Sequence, residues 1–470
     1  MNDNVYDYIR CLIEIQPEST RTLDDKGFSS IFADLFRDEL RYNVTAGEWF
    51  FFDGRHWVQD NGGLYAQRLA RDMSDYLLIY ARRIKDNSTH ETFVKAATKY
   101  GGLRYRETLV RDARSLLAVE QSDFDFNPHL LNLSNVTLDL LTFIPHNHRP
   151  EDMLTKISET EYNPNADGTR WNAFLGQIFQ DNAAKISYLQ RICGYCLTAG
   201  TELEAMFLLY GPSTRNGKST FVETFARALG DYAATAQPET IAISKARQGG
   251  AASPDLARLA GVRFLNISEP PRKMLLDVAL VKQLTGGDTI TARKLYQAPF
   301  EFKPQFKLMV NTNSLPTVTD DTLFTSERVR ILTFDRHFDK SEQNPRLKQE
   351  LSNSETQSAI LNWALDGLCK YRLEGEQPPQ CVLAATSDFK TASDKILRFF
   401  GDCMEKATTN TAGGDAYSRY IFWCNENGFT PENKGRFFAA LRERGLMAKT
   451  GTVDGKTVKN VVLGYQIMDE

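Results

Sequence analysis

Apolar positions along this chain alternate between helical spacing and short continuous runs. Ile31, Phe32, Leu35 and Phe36 have helical spacing, and residues 48–58 read as two aromatic strands around an Asp53-Gly54 turn. Helices are predicted over 64–85 and 91–100, a turn and strand over 127–131, and a strand over 135–140. Pro145, Pro150 and the polar run 163–168 punctuate a linker. Helical spacing returns over 171–198 and stops at Gly200. A buried strand, Met206–Tyr210, then runs into a polar loop at 211–217 and a helix carrying Phe221, Val222, Phe225, Ala226 and Leu229, which Gly230 ends. Beyond it the pattern predicts a short helix at 256–259, a strand at 262–267 and a helix at 277–284. Strands follow around Phe300, Phe302 and 308–310. The last third reads as a helix at 357–371, a linker at 374–379, helices at 392–405, 417–427 and 433–444, and a strand pair around Asp454-Gly455.

This order predicts a multidomain α/β protein. Residues 1–165 form a mixed α/β region and 166–202 a helical bundle. Residues 203–340 form a nucleotide-binding core, 341–384 a helical extension, and 385–470 a small domain in which helices precede a hairpin, the order of a winged helix.

Strand, glycine-bounded loop and helix is the setting a phosphate-binding loop needs. Loop N–H groups and the helix N-terminus would face phosphates. Gly211, Asn216, Gly217, Lys218, Ser219 and Thr220 are the candidate nucleotide-binding residues, with Lys218 reaching the β- and γ-phosphates and Ser219 sitting on Mg²⁺. Five residues separate Gly211 from Gly217, one more than the usual four; the extra residue is expected to bulge at the start of the loop. Glu269, at the tip of a strand expected beside the first, can hold Mg²⁺ or polarise the attacking water. Ser268 stands where a second acid is common. Asn313, at the tip of a third strand, is placed to orient that water.

Charge and cysteine content narrow the setting. A net charge of −4 argues against a globally basic nucleic-acid coat but leaves room for a local basic channel. Seven scattered cysteines fit a reducing cytosol. No charged-then-apolar leader opens the chain, and no run approaches ~20 apolar residues, so neither secretion nor a membrane span is expected. The bland reading is preferred for Cys193-x-x-Cys196 (a core helix), for Asp123-x-Asp125 (a turn) and for His146-x-His148 (a surface loop). For Arg104, Arg106, Arg111 and Arg114, a solvated helix face and a nucleic-acid contact stay equally open.

Taken together, the Asn216–Thr220 loop, the Ser268-Glu269 strand end, the run from Lys282 through Asp288 to Arg293, and Thr312-Asn313 resemble the superfamily 3 helicases. The likeness is strongest to the phage and plasmid primase–helicases of the poxvirus NTPase-like group, and it covers most of the chain from about Phe32. The resemblance implies an AAA+-like ATPase core using ATP and Mg²⁺, assembled as a homo-oligomeric, hexameric ring on single-stranded or forked DNA in the cytoplasm and moving 3′ to 5′. It makes Lys218, Glu269, Asn313 and Arg328 the catalytic set, with Arg328, or else Arg330, reaching a neighbouring subunit's nucleotide. Ser219 and Glu269 are then the metal residues, and Arg293, Lys294 and Tyr296 lie on a DNA-contacting hairpin. Many relatives carry an N-terminal primase domain; none is identified here, so a separate primase or initiator protein is an expected partner. The alternative reading is an ATP-regulated initiator or origin-binding protein that remodels DNA without processive unwinding.

Overall fold

The structure is a computed structural model and describes residues 22–243, 254–272, 274–293, 299–318, 322–427, 429 and 431–468. Its first unit holds helix α1 (Asp25–Leu35), strands β1 (Leu40–Asn43), β2 (Glu48–Phe52) and β3 (Trp57–Asp60), helices α2 (Leu64–Ala81), α3 (Asn87–Tyr100) and α4 (Leu103–Ala113), and strand β4 (Ala118–Val119). The expected aromatic hairpin is β2–β3, antiparallel. Asp53 fastens its turn by accepting from the N–H groups of Arg55 and His56, both at 2.8 Å. Phe28, Phe32, Trp49, Met73, Tyr100 and Leu109 share one core, which ends near Leu117.

The next strands, β5 (Leu130–Asn132), β6 (Thr137–Asp139) and β7 (Pro145–His146), form a separate small sheet. Leu131, Leu133, Leu138 and Leu140 from it pack with Trp171, Phe174 and Phe221, residues of the following unit. The stretch expected as one region to residue 165 therefore divides before residue 130. Asp123-x-Asp125 sits in the connection and not on a strand: Asp123 accepts from the Glu120 N–H at 2.8 Å and Asp125 from the Thr155 N–H at 2.8 Å. Asp123 thus fastens a turn, and Asp125 ties the connection to the segment at Thr155, 30 residues on.

The central unit begins with α5 (Thr169–Phe179) and α6 (Ala183–Cys196). It continues with β8 (Met206–Tyr210), α7 (Lys218–Leu229), β9 (Ala233–Ala236), α8 (Pro254–Ala257), β10 (Phe264–Ser268), α9 (Val278–Thr285), β11 (Ile290–Ala292), β12 (Phe300–Phe302), β13 (Lys307–Thr312), α10 (Thr322–Thr325) and β14 (Val329–Thr333). Five of these strands make one parallel sheet in the order β14-β8-β13-β10-β9. Both faces are covered, as a parallel sheet requires. Phe207 and Leu209 pack with Phe221 and Phe225 of α7 on one face. Met206 and Leu208 pack with Val281 and Leu284 of α9 on the other. One expectation is corrected: the strand ending at Glu269 is not beside β8, because β13 lies between them.

Helices α11 (Leu347–Leu351) and α12 (Ser354–Glu374) follow. α12 crosses α6 at close range, where a Cβ on Gly194 would lie 2.0 Å from the Leu368 nitrogen and one on Gly367 2.0 Å from the Gln190 oxygen. Only glycine permits that approach. Cys193 and Cys196 are fully buried in the same core, and burial pushes the Cys196 thiol up to about 12. Among the described residues no group of His, Cys, Asp or Glu is arranged to hold a metal ion.

The sequence pattern does not predict α13 (Gln380–Ser393), which covers the edge strand β14. Its Thr386 hydroxyl accepts from the Ile331 N–H at 3.1 Å. The unit boundary expected at 384/385 falls inside this helix; the break lies at Asp394, and the helix expected over 392–405 is α14 (Lys395–Cys403). Beyond it come β15 (Met404–Lys406), β16 (Thr411–Ala412), α15 (Gly413–Glu426), α16 (Lys434–Glu443), β17 (Met447–Val453), β18 (Lys456–Val462) and β19 (Tyr465–Ile467). Strands β16, β18 and β17 form an antiparallel sheet in that order, with the predicted turn at Asp454 and Gly455, both at positive φ (46° and 75°). Among the described residues, no helix is long and apolar enough to cross a membrane.

Candidate active site

The loop between β8 and α7 is shaped by two glycines. A Cβ on Gly211 would lie 2.3 Å from Asn216 Nδ2 and 2.8 Å from Lys218 Nζ; one on Gly217 (φ +86°) would lie 2.4 Å from Ile178 Cγ2. Asn216 closes the loop, donating through Nδ2 to the Ser213 carbonyl at 2.6 Å. The loop's left-handed non-glycine residue is Arg215, with φ +56°, so its strained backbone lies near the end of the loop and not at the start, where the bulge is expected. A strap that follows β14 fastens the loop. His337 Nδ1 donates to the Thr214 carbonyl at 2.8 Å, the Phe338 N–H to the Arg215 carbonyl at 2.9 Å, and Arg215 Nη1 to Gln343 Oε1 at 3.1 Å. Gly217 leads into α7; the Lys218 N–H donates to Asn216 Oδ1 at 3.4 Å, and the N-cap itself has no side chain to take the N–H groups that follow.

Lys218 is 3% exposed. Its ammonium donates to Asn313 Oδ1 at 2.7 Å and to the Gly211 carbonyl at 3.1 Å, and burial pushes it down to about 8. Asn313 lies just past the end of β13 and Glu269 just past the end of β10, so parallel strands deliver both to one rim. Glu269 has φ +53°, and its N–H donates to the Asn311 carbonyl at 2.9 Å, turning the chain at the strand end. Left-handed backbone at both Arg215 and Glu269 is the kind of local strain that collects at working sites. These residues, with Ser219, Asn311 and Thr312, line one cleft of about 140 Å³. A larger surface groove of about 470 Å³, lined by Glu159, Glu223, Arg227 and Asp231, lies on the outward side of α7 and holds none of them.

The donor set of the cleft suits a phosphate with a hard cation. It offers a buried ammonium, helix N–H groups, a serine hydroxyl in the first turn of α7 and, among the described residues, a single carboxylate just past the end of β10. Gly211, Asn216, Gly217, Lys218, Ser219, Glu269 and Asn313 are thus brought together, with Thr220 following in the first turn of α7. Asn311 also belongs here, 4% exposed, its Nδ2 donating to Ser219 Oγ at 3.3 Å. The alternation of β13 could have revealed it, since 309 and 311 share the face toward α7.

Arg328 and Arg330 lie elsewhere. Arg328 precedes β14, and its carbonyl accepts from the Met206 N–H at 2.8 Å, at the start of β8. Five residues of strand, roughly 16 Å at ~3.3 Å each, separate it from the cleft rim. Its guanidinium pairs with Glu204 and donates to the Lys282 carbonyl at 3.1 Å and to Thr285 Oγ1 at 3.0 Å. Arg330 is locked by Glu376 at 2.7 and 3.0 Å. Arg293 is exposed at the end of β11, which pairs antiparallel with β12. Lys294 and Tyr296 lie outside the described residues, as do Asp320 and Asp321. In the C-terminal unit two arginines are engaged internally, Arg444 by Asp394 at 2.9 Å and Arg442 by Asn460. Arg436 and Lys449 are exposed.

Comparison with known proteins adds an independent line. Residues 29–180 match the family described as D5 N terminal like, and residues 209–328 match a family of unknown function (DUF5906). The "Putative helicase L207/L206" of Acanthamoeba polyphaga mimivirus is 29% identical, over 65% of this chain and 34% of its own length. The "Putative helicase 022R" of Frog virus 3 is 28% identical, over 61% of this chain and 31% of its own length. The chain thus spans about a third of the curated relatives it matches. Among solved structures, the apo form of the NrS-1 C-terminal region has a similar fold, with a TM-score of 0.52, 10% identity, and coverage of 95% of this chain and all of that one. Through its N-terminal match and its viral relatives, the chain is similar to the D5-like helicases and primases of large DNA viruses.

Proposed function

We propose that this chain is the ATP-hydrolysing motor of a replicative DNA helicase of the superfamily 3 type. One observation carries the reading: Lys218, Ser219, Glu269 and Asn313 converge on one cleft from one loop–helix junction and two strand tips. The loop and α7 would hold the phosphates, and Ser219 and Glu269 a magnesium ion. The ion would neutralise charge gathering between the β- and γ-phosphates. Asn313, already bonded to Lys218, would orient water for attack while Lys218 moves to the phosphates.

The position of Arg328 supports a ring. It stands too far from its own cleft to act there, so a role in hydrolysis requires a neighbour's cleft, and a head-to-tail contact of that kind closes into a ring when the rotation between neighbours closes. An arginine supplied in trans is worth ~10³–10⁵ in rate in other P-loop enzymes. The β11–β12 hairpin with Arg293 would face DNA in the ring, with 3′ to 5′ movement. In the C-terminal unit α14, α15 and α16 precede the β17–β18 hairpin, an order compatible with a winged helix, and this favours a second reading in which this unit recognises an origin and ATP governs assembly.

The test is strand separation on a forked DNA, beside ATPase assays with and without single-stranded DNA, for the wild type, Lys218→Ala and Arg328→Ala. The motor reading expects both variants to lose unwinding, and mixed assemblies of the two to regain part of it. DNA-stimulated hydrolysis without strand separation selects the origin-binding reading. No hydrolysis by the wild type under any condition removes the motor reading, and no nucleotide binding removes both.

A further inference from the structure

We infer, building on the ATPase reading above, that Asn311 is a positioning residue that sets the Ser219 hydroxyl for magnesium, taking the part of the acid that the end of β10 lacks. Ser268 occupies that acid's place and is turned to other work: its hydroxyl accepts from Asn266 Nδ2 at 2.7 Å. In the parallel register Ser268 stands opposite Asn311, one strand nearer to the phosphate loop. From there the Asn311 amide reaches Ser219 Oγ at 3.3 Å. Asn311 is 4% exposed and Asn266 is 4% exposed, and Asn266 Oδ1 is buried without a hydrogen-bond partner among the described residues. A row of neutral polar groups therefore lies under the N-terminus of α7, where a carboxylate would place charge.

The chemistry follows from what each group can give. A serine that ligates a metal must aim one lone pair at it. An amide N–H donated to the second lone pair fixes that aim and leaves the O–H free for a phosphate oxygen. A carboxylate would instead accept the O–H and add a negative charge. Among the described residues lining the cleft, Glu269 is the only carboxylate. Magnesium binds readily to one carboxylate when phosphates complete its shell. The cleft is thus built to take the ion together with the nucleotide and to hold it weakly before the nucleotide arrives.

The test measures binding of a fluorescent ATP analogue across a magnesium titration and in EDTA, for the wild type, Asn311→Ala and Asn311→Asp, with melting curves for each. Asn311→Ala should leave affinity in EDTA unchanged and raise the magnesium midpoint roughly fivefold, the worth of one neutral hydrogen bond. Asn311→Asp should move the other way, weakening binding in EDTA and lowering the magnesium midpoint roughly tenfold through the added charge. A purely structural asparagine would give both variants the same sign. If Asn311→Ala fails to fold, the sign of the Asn311→Asp shift decides. Midpoints equal to wild type overturn the role of Asn311 and leave the ATPase reading standing. A wild type that binds no nucleotide, in magnesium or EDTA, overturns that reading and this one with it.

Discussion

At the carboxyl rim of the central sheet, Lys218 rests on Asn313 and the Gly211 carbonyl. At the amino rim, Lys307 donates to the carbonyls of Thr198, Gly200 (3.2 Å) and Gln305 (3.0 Å), with its ammonium 4.7 Å from the centre of the Tyr195 ring. Beside it Arg263 donates to the carbonyls of Leu197 at 2.6 Å and Leu130 at 2.7 Å. Two of those acceptors, Leu197 and Thr198, lie just past the end of α6, where cations are favoured by the helix dipole. Burial depresses both lysines, Lys218 to about 8 and Lys307 to about 7. A depressed lysine therefore does not by itself mark a working site. What separates the two is the partner: fixed main-chain oxygens around Lys307, and an amide and a carbonyl at an open cleft around Lys218, where phosphate can replace them.

The strongest challenge to this contrast is to delete each lysine. Lys218→Ala is expected to cut ATP hydrolysis by about 10³-fold or more while the melting temperature holds, since what it removes acts on charge developing in the reaction. Lys307→Met should do the reverse, costing about 3 kcal/mol in urea unfolding as three carbonyls lose their donor, with hydrolysis per folded molecule unchanged. Loss of hydrolysis in a stable Lys307→Met would break the comparison.

A second pair sharpens it for arginine. Arg330→Ala should cost about 3 kcal/mol, because the Glu376 carboxylate loses its charge partner and keeps only the Tyr188 hydroxyl; since its Arg328 is intact, in mixed assemblies it should supply what Arg328→Ala lacks. A pH series tests the cleft side alone. In the free protein Lys218 is charged below about pH 8, and a bound phosphate would raise that value. ATP affinity should accordingly be full below pH 8 and fall by up to about tenfold per pH unit above it. A flat profile from pH 6.5 to 9.5 would mean that Lys218 does not meet the phosphates. Smallest of all, Thr386→Val should cost about 1 kcal/mol by leaving the Ile331 N–H without its acceptor.

Much of the cleft was legible in the sequence because its residues follow strand ends, and strand ends are marked by apolar runs giving way to polar residues. That is how Lys218, Glu269 and Asn313 could be found separately. Their relative order could not, since the insertion of β13 between β8 and β10 is a choice of sheet topology that local pattern does not encode. Helix α13 was missed because Val382 and Phe389 are its only buried apolar side chains and Pro378-Pro379 before it read as linker. Arg330 looked available because the carboxylate that holds it is 46 residues away in the chain. The pairing of Arg444 is hidden in the same way, its partner Asp394 being 50 residues distant.

Asp394 also has a mechanical consequence. Through Oδ1 it caps α14, accepting from the N–H groups of Ile396 and Leu397 at 2.9 and 3.0 Å, and through Oδ2 it holds Arg444 at the far end of α16. It is the whole spacer between α13, clamped on the edge of the central sheet, and the C-terminal unit. A joint one residue long has no slack. Torque on the C-terminal unit would pass straight into β14, the strand that begins beside Arg328, so the molecule has a drive shaft where a longer linker would have given it a tether.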